Sequence, residues 1–174
     1  GINEGSKLVV AACGPKQRSL ITELPDNFSE CTFISQALML TNGVVGLQLK
    51  PFADYASAKK EIHELAVWCE ARLADLEGLV QIVIYDDFTF GTGTQRLNDY
   101  LWVTYTRSNP ATDIYGVGEY TEHKHWGCKG PMIIDARKKP HHAPELKIDP
   151  QTEKNIQRFF KKGGSLEKWA DHLS

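Results

Sequence analysis

Two stretches of this 174-residue chain gather side chains able to do chemistry. In the first, His123, His125 and Cys128 stand close together, and the adjacent pair His141-His142 follows. Imidazole and thiolate are ordinary zinc ligands, but H-x-H-x-x-C followed by neighbouring histidines fits none of the usual zinc spacings. The segment reads instead as a loop whose histidines make hydrogen bonds or face a substrate. In the second, Asp86-Asp87 closes the apolar run Leu79–Tyr85. Carboxylates at the carboxyl end of a strand could hold a metal or a ribose. Adjacent side chains on extended backbone point opposite ways, however, and the preferred reading is a pair that caps its own turn. Gly91-Thr92-Gly93-Thr94 lacks the remainder of a phosphate-binding fingerprint and reads as a turn. Arg107 and Asp113 flank Asn109-Pro110, where an arginine–aspartate clasp would hold the proline turn. No nucleophile with a neighbouring base is legible.

The elements that must position these groups follow from apolar spacing. Lys7–Cys13 is a short apolar run ended by Gly14-Pro15 and predicts a buried strand. Residues 31–40 and 44–49, separated by Asn42-Gly43, predict a hairpin with a bulge at Gly46. From Phe52 to Leu76 the residues Ala58, Ile62, Leu65, Cys69, Leu73 and Leu76 recur at helical spacing. Leu79–Tyr85 is continuously apolar, as a central strand covered on both faces would be. Arg96–Arg107 predicts a second helix, Ile114–Tyr120 a strand, His123–Pro131 an irregular loop, and Met132–Ile134 another strand. A polar helix begins near Asp149-Pro150 and breaks at Gly163-Gly164. Strands alternating with helices predict one α/β domain over residues 1–174, a single layered domain with a mixed β-sheet flanked by helices. Residues 150–174 form a helical tail suited to oligomerisation.

Composition narrows the classes. The chain is 41% hydrophobic and 24% charged, which is ordinary for a globular protein, and its length suffices for a core without disulfides or metals. A net charge of −2 argues against a nucleic-acid coat or a polybasic membrane binder. No apolar run reaches the roughly 20 residues needed to span a bilayer, and no secretory leader is visible. Cys13, Cys31, Cys69 and Cys128 are scattered without a CxxC pair and read as reduced thiols, so a cytoplasmic location is expected.

The order of the motifs adds a resemblance. The strand ending in Asp86-Asp87, then Asn98-Asp99-Tyr100-Leu101-Trp102, Thr106-Arg107-x-x-Pro110-x-x-Asp113 and Ile134-Asp135-Ala136-Arg137 together resemble the C-terminal domain of the UbiD family of decarboxylases. The resemblance implies a carboxy-lyase that uses prenylated flavin mononucleotide (prFMN), a divalent metal and a monovalent cation. Its implied substrate is an aromatic acid, such as a hydroxybenzoate or hydroxynaphthoate of quinone biosynthesis, with or without a prenyl tail. The family's Glu-Arg-Glu and metal-binding motifs have no counterpart in this sequence. The chain therefore reads as the C-terminal domain of a longer enzyme, inactive alone and holding no cofactor by itself. Upstream domains of the same protein and further copies of it are the implied partners. The resemblance places Glu119, Tyr120, His123, His125 and Trp126 on the substrate side, with Arg72 as the residue that would meet the cofactor phosphate. The competing reading is a non-catalytic assembly or small-acid-binding subunit.

Overall fold

The computed structural model describes residues 14–16, 18–143 and 149–172. The strand expected at Lys7–Cys13 lies outside the described residues. Packing divides the chain into two compact units, Gly1–His142 and Ala143–Ser174.

The first unit is a mixed five-stranded sheet with a helix on each face. Strands β1 (Gln36–Thr41) and β2 (Val44–Gln48) form the expected hairpin around Asn42-Gly43. Helix α1 (Tyr55–Glu70) leads to β3 (Gln81–Tyr85), and α2 (Gly93–Thr106) leads to β4 (Ile114–Gly116). Strand β7 (Met132–Asp135) completes the sheet in the order β1-β2-β3-β7-β4. Strands β2, β3 and β7 run parallel, while both edge strands are antiparallel to their neighbours. Between β4 and β7 a separate ribbon forms from β5 (Glu119–Glu122) and β6 (His125–Cys128).

The alternation of β3 explains the two layers. Ile82 and Ile84 point to one face, where Ile62, Leu65 and Cys69 of α1 close the core with Val45, Leu47 and Ile133. Val83 and Tyr85 point to the other face and meet Tyr100 and Val103 of α2. Gly46 stays in register opposite Leu38 and Val83, and the hairpin's irregularity falls between Met39 and Thr41 instead. A Cβ at Gly46 would lie 3.1 Å from the Tyr85 ring and 3.2 Å from Leu40, so the glycine admits close side-chain packing rather than a bulge.

Helix α1 is shorter than its apolar period suggested. It opens on Asp54, whose carboxylate accepts from the Ser57 N–H at 2.9 Å, and it gives way to turns after Glu70. Those turns still deliver Leu73 and Leu76 to the α1-side core, which is why helical spacing persists in the sequence beyond the helix. Helix α2 begins at Gly93, ahead of its expected start, because the preceding loop is pinned. Asp99 Oδ2 accepts from the Gly91 N–H at 2.8 Å, and Arg96 Nε donates to the Gly91 carbonyl at 3.1 Å.

The second unit contains α3 (Pro150–Phe160), capped by Asp149, whose carboxylate accepts from the N–H and hydroxyl of Thr152 at 2.9 and 2.6 Å. A 3-10 turn follows at Glu167–His172. Among the described residues no helix is long and apolar enough to cross a membrane.

Candidate functional site

The chain leaves β2 toward α1 on one face and leaves β3 toward α2 on the other. Adjacent parallel strands whose connections diverge in this way open a crevice at their carboxyl ends, where ligands of α/β proteins gather. Among the described residues most of the buried charge lies beside this crevice, at the end of β7 and in the segments that follow β3 and β7.

Asp135, Arg137 and Lys139 alternate along extended backbone, so their side chains share a direction. Arg137 is fully buried. Its Nε and Nη2 donate to the two oxygens of Asp135, each at 2.9 Å, and its Nη1 reaches Glu61 of α1 at 2.6 Å and the Lys50 carbonyl at 3.1 Å. Burial opposes its charge, but the bonds and fields of Asp135 and Glu61 outweigh that and hold its pKa above the usual arginine value. Lys139 is buried as well. Its ammonium donates to the carbonyls of Asp135 at 2.8 Å and Arg107 at 3.2 Å, and pairs with Asp113 at 3.3 Å. Asp113 also accepts from the Asn109 N–H at 2.7 Å. These ions tie β7, α1, the loop after β2 and the turn after α2 into one rigid corner.

Arg107 does not clasp Asp113, as the sequence suggested. It pairs with Asp87 at 2.9 Å and approaches Asp86 at 3.5 Å, because Lys139 already neutralises Asp113. The capping expected of Asp86-Asp87 is present in part: Asp86 accepts from the N–H groups of Asp87 at 2.9 Å and Lys138 at 3.1 Å. Burial pushes the Asp86 carboxyl up from its usual range. Burial also opposes ionisation of Asp87, but the Arg107 hydrogen bond overcomes it and brings that carboxyl down. Beside this pair a groove of about 470 Å³ is walled by Tyr85, Phe88 and Phe90, with Gln36, Gln48 and Arg96 at its edges.

His142 belongs to the same corner. Its Nδ1 accepts from the Lys139 N–H at 3.0 Å, which requires the neutral ring. Burial first, then the charges of His141, Lys139 and Arg107, hold its pKa below the ordinary histidine value. The unfolded chain therefore takes up a proton that the folded chain refuses. Stability from this group is complete above about pH 6.5 and is lost as pH falls through the depressed folded value. His142→Gln, which keeps an acceptor but cannot titrate, is expected to flatten that part of the stability–pH profile. Urea midpoints between pH 7.5 and 5 provide the check; an unaltered slope would assign the titration to another group.

The five residues expected on the substrate side lie on the β5–β6 ribbon, which replaces both the irregular loop expected at His123–Pro131 and the end of the strand expected at Ile114–Tyr120. His123 and Lys124 adopt φ of 49° and 67° and form its two-residue turn. The ribbon separates the five. Trp126 Nε1 donates to Glu119 at 3.4 Å on one face, and a Cβ placed on Gly116 would lie 3.0 Å from the Trp126 ring, so this face rests on β4. Tyr120 lies on the other face, its ring over Gly127, and His125 shares that side two residues away. His123 sits at the exposed tip beside Glu122. Glu119 and Tyr120, with Lys129, also line a groove of about 310 Å³ whose far wall is Lys59, His63 and Glu70 of α1.

Arg72 follows α1 near the amino ends of the parallel strands, the edge opposite the crevice. Its guanidinium stacks 4.3 Å over Trp68 and donates to the Trp68 carbonyl at 3.2 Å. Among the described residues no group of three or more His, Cys, Asp or Glu could hold a metal ion. Cys128 donates its thiol hydrogen to the Gly130 carbonyl at 3.2 Å, and His141 and His142 pack edge to face. The described cysteines Cys31, Cys69 and Cys128 are free, and burial pushes the Cys69 thiol up to about 12. With Arg72 occupied by Trp68 and no carboxylate–imidazole cluster, the described residues do not fit a flavin phosphate or its divalent cation.

No family model matches the chain. It is 28% identical over 82 residues to a Chlamydia pneumoniae protein named as a component of 4-hydroxybenzoate decarboxylase, covering 47% of this chain and 14% of that one. This bears out the resemblance to UbiD-class decarboxylases. An uncharacterized protein of Chlamydia trachomatis is 28% identical over 156 residues, covering 88% of this chain and 24% of that protein. The chain thus spans about a quarter or less of the length of these relatives. Among solved structures, an evolved dimeric form of the UbiD-class enzyme HmfF from Pelotomaculum thermopropionicum, in complex with prFMN, superposes over 64% of this chain and 21% of its own. Its sequence identity is 16% and the TM-score 0.36, too low to establish a common fold.

Sequence reasoning missed Glu61 and the role of Lys139. A signal for the latter was present: Asp135, Arg137 and Lys139 at every second position after an apolar strand place three charges on one side of extended backbone. Nothing in the sequence pointed to Glu61, which lies among other charged residues on α1.

Proposed function

We propose that this chain is the C-terminal domain of a longer, cytoplasmic, UbiD-like decarboxylase that uses prFMN with a divalent metal and a monovalent cation. Its substrate is an aromatic acid such as a hydroxybenzoate or hydroxynaphthoate of quinone biosynthesis. The observation that carries this reading is the similarity to the decarboxylase component of C. pneumoniae, of which the chain covers only a small share. That relative is one component of a larger assembly, which is consistent with upstream domains and further copies as partners. In this reading the cofactor and the proton-handling residues are carried by polypeptide ahead of this chain.

Within that enzyme the chain supplies a wall. The ion-paired corner fixes the loops after β2, β3 and β7, and the β5–β6 ribbon carries Tyr120 and His125 on one face and the half-exposed Trp126 on the other. Tyr120 and Trp126, on opposite faces of the ribbon, are 47% and 49% exposed, and each offers a ring to a flat acid. Lys129, which lines the same groove as Tyr120, attracts its carboxylate.

Two measurements check this. The purified chain is expected to elute from gel filtration free of prFMN, by absorbance, while the longer polypeptide retains it. In the longer enzyme Trp126→Ala is expected to raise KM for the aromatic acid about tenfold, in line with the loss of one aromatic contact, with prFMN content unchanged. Retention of prFMN by the chain alone would refute the proposal, and an unchanged KM would remove the ribbon from the substrate side.

A further inference from the structure

The groove at the carboxyl ends of β2 and β3 holds side chains that neither the ion-paired corner nor the ribbon uses. Strand register aligns one side of it. Gln36 of β1 stands opposite Gln48 of β2, and Gln48 opposite Tyr85 of β3, so the three side chains form a row on the α2 side of the sheet. Phe88 and Phe90, their rings edge to face at 4.9 Å, wall the groove, and Arg96 reaches it from α2. Each polar group is half spent. Gln48 Nε2 donates to the Asp86 carbonyl, which leaves its amide oxygen unused. Gln36 Oε1 accepts from the Tyr85 hydroxyl at 3.5 Å, which leaves its amide N–H groups unused. Arg96 Nε and Nη1 donate to the carbonyls of Gly91 at 3.1 Å and Met39 at 3.2 Å. These bonds fix the guanidinium plane, and Nη2 has no partner among the described residues. The carboxylates nearby are already matched. Asp86 and Asp87 meet Arg107, Lys138 lies 3.9 Å from Asp87, and the Asp99 oxygens accept from the Gly91 N–H and Gln95 Nε2. Among the described residues around the groove, Arg96 alone is a cation without a carboxylate.

From this arrangement we infer that the groove binds a planar heterocycle carrying a lactam edge and a single carboxylate. The carboxylate meets the free edge of the Arg96 guanidinium, which is held ready by its two carbonyl bonds. A ring N–H donates to Gln48 Oε1, and the adjacent ring carbonyl accepts from Gln36 Nε2, a side-by-side donor and acceptor that neighbouring strands provide. The ring lies against Phe88 and Phe90. Charge around the groove is balanced, with Asp86, Asp87 and Asp99 against Arg96, Arg107 and Lys138. The exposed Asp87 carboxylate also lines it, so a monoanion is favoured over a phosphate dianion. A volume of about 470 Å³ suits a ligand of one or two rings. No residue of the β5–β6 ribbon lines this groove, so the inference is independent of the aromatic acid proposed for the ribbon.

Isothermal titration of the 174-residue chain with orotate, uracil and benzoate provides the test. Orotate has both features, uracil lacks the carboxylate, and benzoate lacks the lactam edge. Orotate is expected to bind about tenfold or more tightly than uracil, the usual effect of one hydrogen bond to a charged group, and about tenfold more tightly than benzoate through its two neutral bonds. Arg96→Gln is expected to weaken orotate binding about tenfold or more, and Gln36→Leu about fivefold. Arg96 also holds the loop at Gly91, so circular dichroism checks that its variant folds. Gln36 is exposed, and its replacement keeps the test decisive if the arginine variant does not fold. Absence of orotate binding overturns the inference. So does uracil or benzoate binding as tightly as orotate, or an affinity for orotate that the folded variants leave unchanged.

Discussion

Replacing Arg137 with methionine is expected to destabilise the fold by about 3–5 kcal/mol, because it strands Asp135 as an uncompensated charge in a site closed to water. The guanidinium satisfies both Asp135 oxygens, Glu61 and the Lys50 carbonyl at once, so no rearrangement of one neighbour can replace it. For a chain of this length the loss corresponds to roughly 10 °C or more in Tm. The double variant Asp135→Leu, Arg137→Met is expected to recover much of the deficit, since two apolar side chains remove both charges together. Thermal melts of the three proteins decide the matter. A single-variant loss under about 1 kcal/mol would mean that water reaches the site and that the pair is not a buried one.

Lys139→Met is expected to cost about 3 kcal/mol or more through the same physics applied to a different partner. The change leaves Asp113, itself buried, with the Asn109 N–H as its remaining donor, and removes the donor shared by the carbonyls of Asp135 and Arg107. Adding Asp113→Asn should restore part of the loss, because the amide carries no charge while its oxygen still accepts from Asn109. Urea denaturation checks this: the midpoint falls sharply for the single variant and partly returns in the double. If the two substitutions were simply additive, the Lys139–Asp113 contact at 3.3 Å would contribute nothing as a pair.

These two expectations also mark where the sequence was readable. Apolar periodicity found every strand and helix of the described sheet, because burial on one or both faces imprints a period of two or of three to four. Central placement of β3 was legible in Leu79–Tyr85 for the same reason. Boundaries were less so, since turns carrying Leu73 and Leu76 imitate a helix when judged by spacing alone. Charged partners were the hardest. Arg107 had two acidic neighbours to choose from, Asp113 nearby in sequence and Asp87 twenty residues upstream, and the choice was made by Lys139, whose burial depends on tertiary packing. The ribbon at 119–128 was hidden by its composition. A turn formed by His123-Lys124 lacks the Asn-Gly signature, and the strands that flank it are polar and exposed.

For the candidate site, residue types suggested contact with a substrate but not which of them stand together. Glu119 with Trp126, and Tyr120 with His125, fall on opposite faces of a two-stranded ribbon, a division that only strand register determines. The described side chains that converge most tightly belong to the Asp135–Arg137–Lys139 corner, where cations and carboxylates are matched and hydrogen-bonded. Such a corner holds loops still.

Release of carbon dioxide from 4-hydroxybenzoate, followed with the purified 174-residue chain supplied with prFMN, divalent metal and monovalent cation, tests the assignment most directly. No release by the chain alone, together with release by the longer polypeptide that contains it, is the expected outcome. Turnover by these 174 residues unaided would contradict the assignment, because it would place the electron sink and the proton-handling groups within this chain.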